Sequence, residues 1–407
     1  MGYTAVDCLG FGGGFTLGMV QAGFELQAKL AMKDAFGVAN CEVNRALLGD
    51  GWHTQISEGR GDDWDPPKAD VLFGNPPCSG FSSMSRADFR GIDSPINHCM
   101  WAFAGAVPKV DPLVAVFESV QAASKLGYEL MHRLRAQVEE RTGHTYTLYH
   151  VLHNNAAVGG GAIRRRYFWL ISRIPFGVER TALHRLPTLH DVIGDLEGLG
   201  NSWELQPYRR PPTWWSRQHV RSRTGLVDGM KSRTTWSARR TIDLIPGAGW
   251  DWKETLEDVA RRHYELHGRL PDSWRAIEDK LVARDFRMGV HLPNRWHPDR
   301  MARVVTGAGP SQVIHPYEDR FITQRETARI QGFPDDWTIR GLKYDAPGLT
   351  ATWGKGIPVT VARWIGHWVI EALEGRPGSY IGRPGEPGQR ERWIDVGRDW
   401  WHLTPER

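Results

Sequence analysis

The spacing of apolar and polar positions changes character along the chain. Through residues 1–180, short apolar runs alternate with amphipathic segments. Thr4–Leu9, Ala69–Phe73, Leu113–Phe117 and Tyr167–Ile171 are apolar runs of strand length, and Phe15–Ala22 continues from the first as a helix. Between Leu126 and Glu140 the residues Leu126, Leu130, Leu134 and Val138 fall along one helical face. Strands alternating with helices predict an α/β domain, a mostly parallel doubly wound sheet with ligands gathered at the strands' carboxyl ends. Between 181 and 310 this rhythm is lost and Trp, Arg, Pro and His become frequent, which predicts a smaller inserted domain. The α/β pattern resumes over 311–375, with a helix at Thr360–Glu374 completing the first domain. Residues 376–407 open with GRPGSYIGRPGEPGQRER and read as a mobile Gly/Pro-rich tail, whose final tryptophans offer a way to dock back.

Composition narrows the class. A hydrophobic fraction of 41% and a charged fraction of 24% are those of an ordinary globular protein. No run of eighteen apolar residues predicts a membrane span, and the first residues lack the basic-then-apolar plan of a secretory signal. The four cysteines, Cys8, Cys41, Cys78 and Cys99, show neither CxxC pairs nor histidines at zinc spacing. No metal is expected from them, and a reducing cytoplasmic location fits. A monomer is the default. The net charge of +4 is mild, but its distribution is not even. Arg209, Arg210, Arg217, Arg221, Arg223, Lys231, Arg233, Arg239 and Arg240 are interleaved with Trp203, Trp214, Trp215, Trp236 and Trp250. Basic groups mixed with planar aromatics suit a phosphate backbone and unstacked bases, the alternative being a solvated basic surface of no particular function.

Four segments of the α/β part carry candidate chemistry. Asp7-Cys8-Leu9-Gly10-Phe11-Gly12-Gly13-Gly14 is a strand, a glycine turn and a helix start, where backbone approaches a ligand closely. Such turns also occur with no ligand at all. DVLFGNPPCSGFS places Cys78 just past a buried strand in a Pro-Pro loop, at the rim of the sheet. A lone cysteine is commonly a small core residue; as a nucleophile it needs thiolate character, which nearby positive charge supplies. Glu118 ends another apolar strand, where desolvation keeps a carboxyl protonated and able to donate, unless it merely caps the next helix. Arg164 and Arg166 alternate along a strand, so one face aims both at the site while Arg165 faces away.

In order along the chain, these pieces resemble the DNA cytosine-C5 methyltransferases. RFITQRETARIQGFPDDW at Arg320–Trp337 looks like the family's stretch after its target-recognition domain, and GKGIPVTVARWI at Gly354–Ile365 looks like its last cofactor motif. The resemblance implies a Rossmann-like fold dependent on S-adenosyl-L-methionine, with a target-recognition domain inserted at 181–310. It implies Cys78 as nucleophile, with Glu118, Arg164 and Arg166 acting on a cytosine flipped from the duplex. Asp7, Leu9, Phe11, Gly12, Gly13, Gly14, Asn75, Pro76 and Gly356 would line the cofactor. The ribose acid is Asp34 or Glu42, and an acid facing the adenine is Asp62 or Asp63. The arginines between Arg209 and Arg240 would read double-stranded DNA, the partner that the resemblance implies. The sequence departs from the pattern at Leu9, where an aromatic is frequent, and at Phe11, where glycine is usual. Ser79 and Ala162 stand where Gln is frequent, and Ser119 replaces Asn. Two other readings, a DNA-binding protein without catalysis and a tRNA-modifying enzyme, stand beside this one.

Lys355 is the most informative departure, since the family carries Asn there in a Gly-Asn-x-Val-Pro pattern. Two like charges about 5 Å apart cost on the order of 3 kcal/mol at an effective dielectric near 20, so a lysine beside a sulfonium needs a compensating anion. A carboxylate on the transferred carbon, as in carboxy-S-adenosyl-L-methionine, would supply it and give 5-carboxymethylcytosine. With ordinary S-adenosyl-L-methionine, Lys355 pairs with another anion and the product is 5-methylcytosine.

Overall fold

The computed structural model describes residues 2–33, 36–82, 85–179, 186–196, 256–279, 294–305, 313–317, 322, 324–337, 354 and 356–397. Two compact units divide the chain. One joins Met1–His184 to Lys355–Thr404; the other covers Arg185–Gly354 together with the last three residues.

The first unit is built on a nine-stranded sheet. Its strands are β1 (Thr4–Cys8), β2 (Glu25–Met32), β3 (His53–Ser57), β4 (Val71–Gly74), β5 (Val114–Val120), β6 (Thr147–Asn154), β7 (Arg165–Ser172), β10 (Arg383–Pro384) and β11 (Glu391–Val396). In space they run β10-β11-β6-β7-β5-β4-β1-β2-β3. All are parallel except β7 and β10. Apolar strands buried on both faces are what a parallel sheet requires, and β4 and β5 read VLFG and VAVFESV.

Alternate residues feed opposite faces. On one side Phe15, from α1 (Gly14–Ala22), packs on Phe73 and Phe168 with ring centroids 5.1 and 6.1 Å away. On the other side Phe103, from α4 (His98–Val110), meets Phe117, which stacks on Trp169 at 4.9 Å. The Trp169 indole donates to the Met131 carbonyl on α6 (Tyr128–Thr142), fixing that helix over the second face. The short helices α2 (Phe36–Val43), which touches β2, α3 (Arg45–Leu48), which touches α1 and α2, and α5 (Ala123–Leu126), which touches β5 and α6, complete this part of the chain.

The helix expected near the end of the domain is present as α10 (Val359–Leu373), lying against α1. A Cβ on Gly18 would fall 2.4 Å from that of Ala362, and one on Gly366 would fall 2.6 Å from that of Ala22. Two glycine-notched faces therefore let the helix axes approach closely.

The Gly/Pro-rich segment after residue 375 differs from expectation. Instead of a mobile tail, its residues 391–396 form β11, hydrogen-bonded in parallel to β6 over six positions, with β10 outside it. The run ERWIDV has a strand's alternation, and its backbone groups find partners on the open edge of β6. The terminal tryptophans lie outside the described residues.

Within the second unit the described elements include α7 (Leu189–Ile193), α8 (Leu256–His267), the short pair β8 (Asn294–Arg295) and β9 (Val313–Ile314), and α9 (Gln324–Ile330). Thr188 and Asp191 form a capping box on α7, and Arg329 of α9 is paired with both Asp195 and Asp335.

Candidate active site

Because β1, β2, β3, β4 and β5 run parallel, the segments after them share one edge of the sheet. The antiparallel β7 brings its first residues to that same edge, pairing Arg166 with Val120 and Phe168 with Glu118. Residues directly opposed on antiparallel strands share a face, so Glu118, Arg166 and Phe168 all lie on the α1 side.

The β1–α1 turn is the tightest part of the edge. Leu9, Gly12 and Gly13 adopt left-handed backbone, at φ 64°, 73° and 86°. Behind the turn, the buried Asp7 carboxylate accepts from the Gly10 N–H at 2.8 Å, the Thr16 hydroxyl at 2.5 Å and the Lys29 ammonium. Lys29 also donates to the Gly10 carbonyl at 3.0 Å. Burial pushes the Lys29 ammonium down, but the Asp7 carboxylate more than offsets it, and the pKa ends above the ordinary value. Asp7 thus braces the turn from within, rather than presenting a free carboxylate as a cofactor residue would. Lys29 was not anticipated; its signal is a lone charge inside the apolar run of β2.

After β4 the chain passes Asn75, Pro76 and Pro77 to Cys78, which precedes a single 3-10 turn. A Cβ on Gly74 would fall 1.8 Å from the Cys8 carbonyl oxygen, so a bare backbone is needed where β4 meets the end of β1. This close approach holds the Cys78 loop against the glycine turn.

The Asn75 side chain donates to the Glu118 carboxylate, whose other oxygen lies 2.5 Å from Arg166 Nε. Burial raises the Glu118 pKa, against the opposing pull of Arg166 and Arg164. The direction is that expected of a carboxyl at a buried strand end, while the Arg166 ion pair favours its charged form. Arg164 is buried just before β7; it donates to the Gly356 carbonyl at 2.7 Å, joining the end of the domain to the site. Its neighbour Arg165 is exposed.

Cys78 behaves differently from a cysteine activated by positive charge. Burial first, then the Glu118 carboxylate, push its thiol up; Arg166, the Val120 N–H and Arg164 only partly offset this. Burial and the Glu118 carboxylate together outweigh the two guanidiniums, so the resting site holds a thiol and not a thiolate.

The remaining acids are dispersed. Glu42, on α2, is paired with Arg45 at 2.7 Å and accepts from the Thr54 hydroxyl at 2.9 Å, which hold its carboxyl below the ordinary range. Asp62 and Asp63 follow β3, where the Asp62 carbonyl accepts from Lys109 at 2.6 Å and a bond from Ser57 lowers the Asp63 carboxyl. Asp34, Lys355 and all eight arginines from Arg209 to Arg240 lie outside the described residues. No helix among the described residues is long and apolar enough to cross a membrane.

The edge fits a nucleoside-bearing sulfonium cofactor. Gly13 caps α1 without a side-chain bond, which leaves the first helical N–H groups open to a ligand, and left-handed glycines keep side chains out of their way.

Comparison with known proteins agrees with this geometry. The model of the C-5 cytosine-specific DNA methylases matches residues 5–371. The type II methyltransferase M.PspPI of Psychrobacter sp. is 24% identical over 92% of this chain and 80% of its own length. M.XorII of Xanthomonas oryzae is 25% identical over 91% and 85%. Among solved structures, a prophage-encoded E. coli protein assigned as a DNA modification methyltransferase has a TM-score of 0.58 at 18% identity, covering 91% of this chain and 99% of its own. That likeness bears on the fold alone. With a family match spanning nearly the whole chain, and a sheet edge that assembles Cys78, Glu118 and the arginine pair, the protein belongs to the C-5 cytosine-specific DNA methylases.

Proposed function

We propose that the chain transfers a one-carbon-linked group to C5 of a cytosine flipped out of duplex DNA, through a transient bond to Cys78. The observation that carries this is the convergence of the Cys78 loop, Glu118 and Arg166 on one sheet edge beside the glycine turn. The sulfonium donor, when bound, supplies an electrophilic carbon. The protein's own groups make the pyrimidine reactive. The Cys78 thiol loses its proton and the sulfur adds at C6, moving electron density to C5 and charge toward N3 and O2. Glu118 holds a proton for N3, and Arg166 faces the O2 side; in a dry pocket each contributes a few kcal/mol. After transfer a base removes the C5 proton, and the C6–sulfur bond breaks to restore the aromatic ring and the free thiol. Leu9, Phe11, Gly12, Gly13, Gly14, Asn75, Pro76 and Gly356 line the cofactor, with Asp34 or Glu42 at the ribose and Asp63 at the adenine. The segment carrying Arg209 to Arg240 reads the duplex.

The donor is carboxy-S-adenosyl-L-methionine and the product 5-carboxymethylcytosine. What supports this is the Lys355 substitution in the GKGIPV run, which places a cation where an uncharged amide is the rule. The chain works as a monomer in the cytoplasm.

The test offers the enzyme each donor with duplex DNA and weighs the nucleosides by mass spectrometry. Carboxymethylation from the carboxylated donor, shifted toward methylation in Lys355→Asn, is expected. Methylcytosine from S-adenosyl-L-methionine, with no product from the carboxylated donor, would leave an ordinary methyltransferase. An oligonucleotide carrying 5-fluorocytosine tests the covalent step independently: a denaturation-resistant adduct should form with the wild type and not with Cys78→Ala.

A further inference from the structure

Away from the catalytic edge, on the α4–α6 face of the sheet, two histidines and a carboxylate point at one another. His132 comes from α6, His150 from β6 and Glu391 from β11. The Nε2 atoms of both rings approach the same oxygen, Glu391 Oε2, at 2.8 and 3.0 Å. Their ligating atoms all lie within 4.8 Å of one another. From this convergence we infer that His132, His150 and Glu391 form a binding site for a divalent transition metal, zinc above all, which clips the C-terminal strand onto the catalytic domain.

Ligands around a tetrahedral zinc, with bonds of about 2.0–2.2 Å, sit roughly 3.3 Å apart. Each imidazole nitrogen therefore needs to move off the Glu391 oxygen by only a few tenths of an ångström, and the two nitrogens lie within 4.8 Å of each other. The groups behind His150 and Glu391 are already arranged as metal ligands require. His150 Nδ1 lies 2.8 Å from the Tyr167 hydroxyl, which takes the Nδ1 proton once Nε2 is free to ligate. The second oxygen of Glu391 accepts from the Tyr128 hydroxyl at 3.0 Å and the Glu386 N–H at 2.7 Å, leaving Oε2 for the cation. Trp393 and Tyr128 stack against the His150 ring, at 4.1 and 5.6 Å, and fix its plane. The nearest opposing charge, Arg135, is drawn aside by the Arg390 carbonyl at 2.8 Å and by Gln389.

His150 and Glu391 are buried, while His132 keeps 16% of its side chain exposed. That opening gives a metal its path in and leaves a fourth position for water. Two imidazoles with one carboxylate favour zinc, cobalt or nickel over magnesium or calcium, which prefer all-oxygen shells.

Glu391 lies beyond residue 371, where the family match ends, so the site falls outside that match. It is independent of the chemistry at Cys78.

Untagged full-length protein, stripped with EDTA and loaded with Zn2+ or Co2+, is passed through gel filtration and assayed for metal by mass spectrometry. About one Zn2+ per chain should remain in the wild type, falling at least tenfold in His132→Ala, whose partly exposed position tolerates the loss. The Co2+ form should show intense visible bands of low coordination number without the near-ultraviolet thiolate band that a cysteine site would give. Glu391→Gln keeps the carboxylate's shape and should also fail to retain metal. Hydrogen exchange at residues 391–396 should slow severalfold with Zn2+ in the wild type alone. Equal retention in wild type and His132→Ala, or none in either, would overturn the assignment.

Discussion

Lys29→Met gives a direct measure of what braces the glycine turn. The substitution keeps the length of the side chain but removes the ammonium that meets the Asp7 carboxylate and the Gly10 carbonyl in a fully buried position. Asp7 would keep two donors, the Gly10 N–H and the Thr16 hydroxyl, yet carry an uncompensated charge in the core. Removing one partner of a buried pair costs about 3–5 kcal/mol, whereas replacing both by neutral groups is often close to neutral. Lys29→Met should therefore destabilise the first unit by about 4 kcal/mol, and Asp7→Asn combined with Lys29→Met should recover at least half of that. With a urea slope of about 3 kcal/mol/M, the single change lowers the midpoint by roughly 1–2 M. The assay is urea unfolding followed by hydrogen exchange at β1 and β2, which isolates this unit from the other. A single variant within about 1 kcal/mol of wild type, or a double variant no better than the single, would refute the reasoning. The pair's alkaline behaviour has a definite sign: since Lys29 is raised in the fold, its contribution is intact below the ordinary lysine pKa of 10.5 and fades only as pH climbs past the folded value.

Other outcomes follow from the same packing. His153 is buried between Phe168 and Trp368, and burial lowers its pKa from 6.5 to about 3. Stability should therefore fall by about 1.4 kcal/mol per pH unit between pH 6.5 and 3, and thermal melts of His153→Phe at pH 7 and 4 should show a shallower decline than wild type. Gly18→Leu, set against Ala362 and the Val359 carbonyl, should force α1 and α10 apart at a cost of about 3 kcal/mol or more, read as a drop in Tm, whereas Gly49→Ala, with open space around its Cβ, should lose about 1 kcal/mol from its left-handed backbone alone. Because the Cys78 thiol lies above its ordinary value, iodoacetamide labelling of the free enzyme should still be rising with pH at 9; a plateau below pH 8 would contradict the burial effect.

Much of the first unit can be read from the chain because its strands are short apolar runs between helices. Thr4–Leu9, Leu113–Phe117 and Tyr167–Ile171 all appear as strands to within a few residues, and the α1, α6 and α10 helices likewise. The segment after residue 375 resisted reading for a physical reason. Gly and Pro dominate 375–388 and hide the single alternating run ERWIDV, and pairing to β6 is a tertiary interaction that no local pattern announces. The site was legible in its residue types but not in its couplings. That Arg166 would meet Glu118 depends on β7 running backwards, and the rise of the Cys78 pKa depends first on its burial and then on the Glu118 carboxylate, neither of which a local pattern announces. Asp7 was legible as part of the turn, but its partner Lys29, 22 residues away, becomes apparent only when β1 and β2 lie side by side.

The notched seam between α1 and α10 has a consequence for how the protein is made. Its two sides are separated by more than three hundred residues, and β6 receives its outer neighbour only from residues 391–396. A ribosome delivers α1 more than three hundred residues before the helix that packs on it. Until then the apolar underside of α1 stays uncovered, so the nascent chain depends on late closure, and a chain cut before residue 359 would lack both that helix and two of the sheet's nine strands.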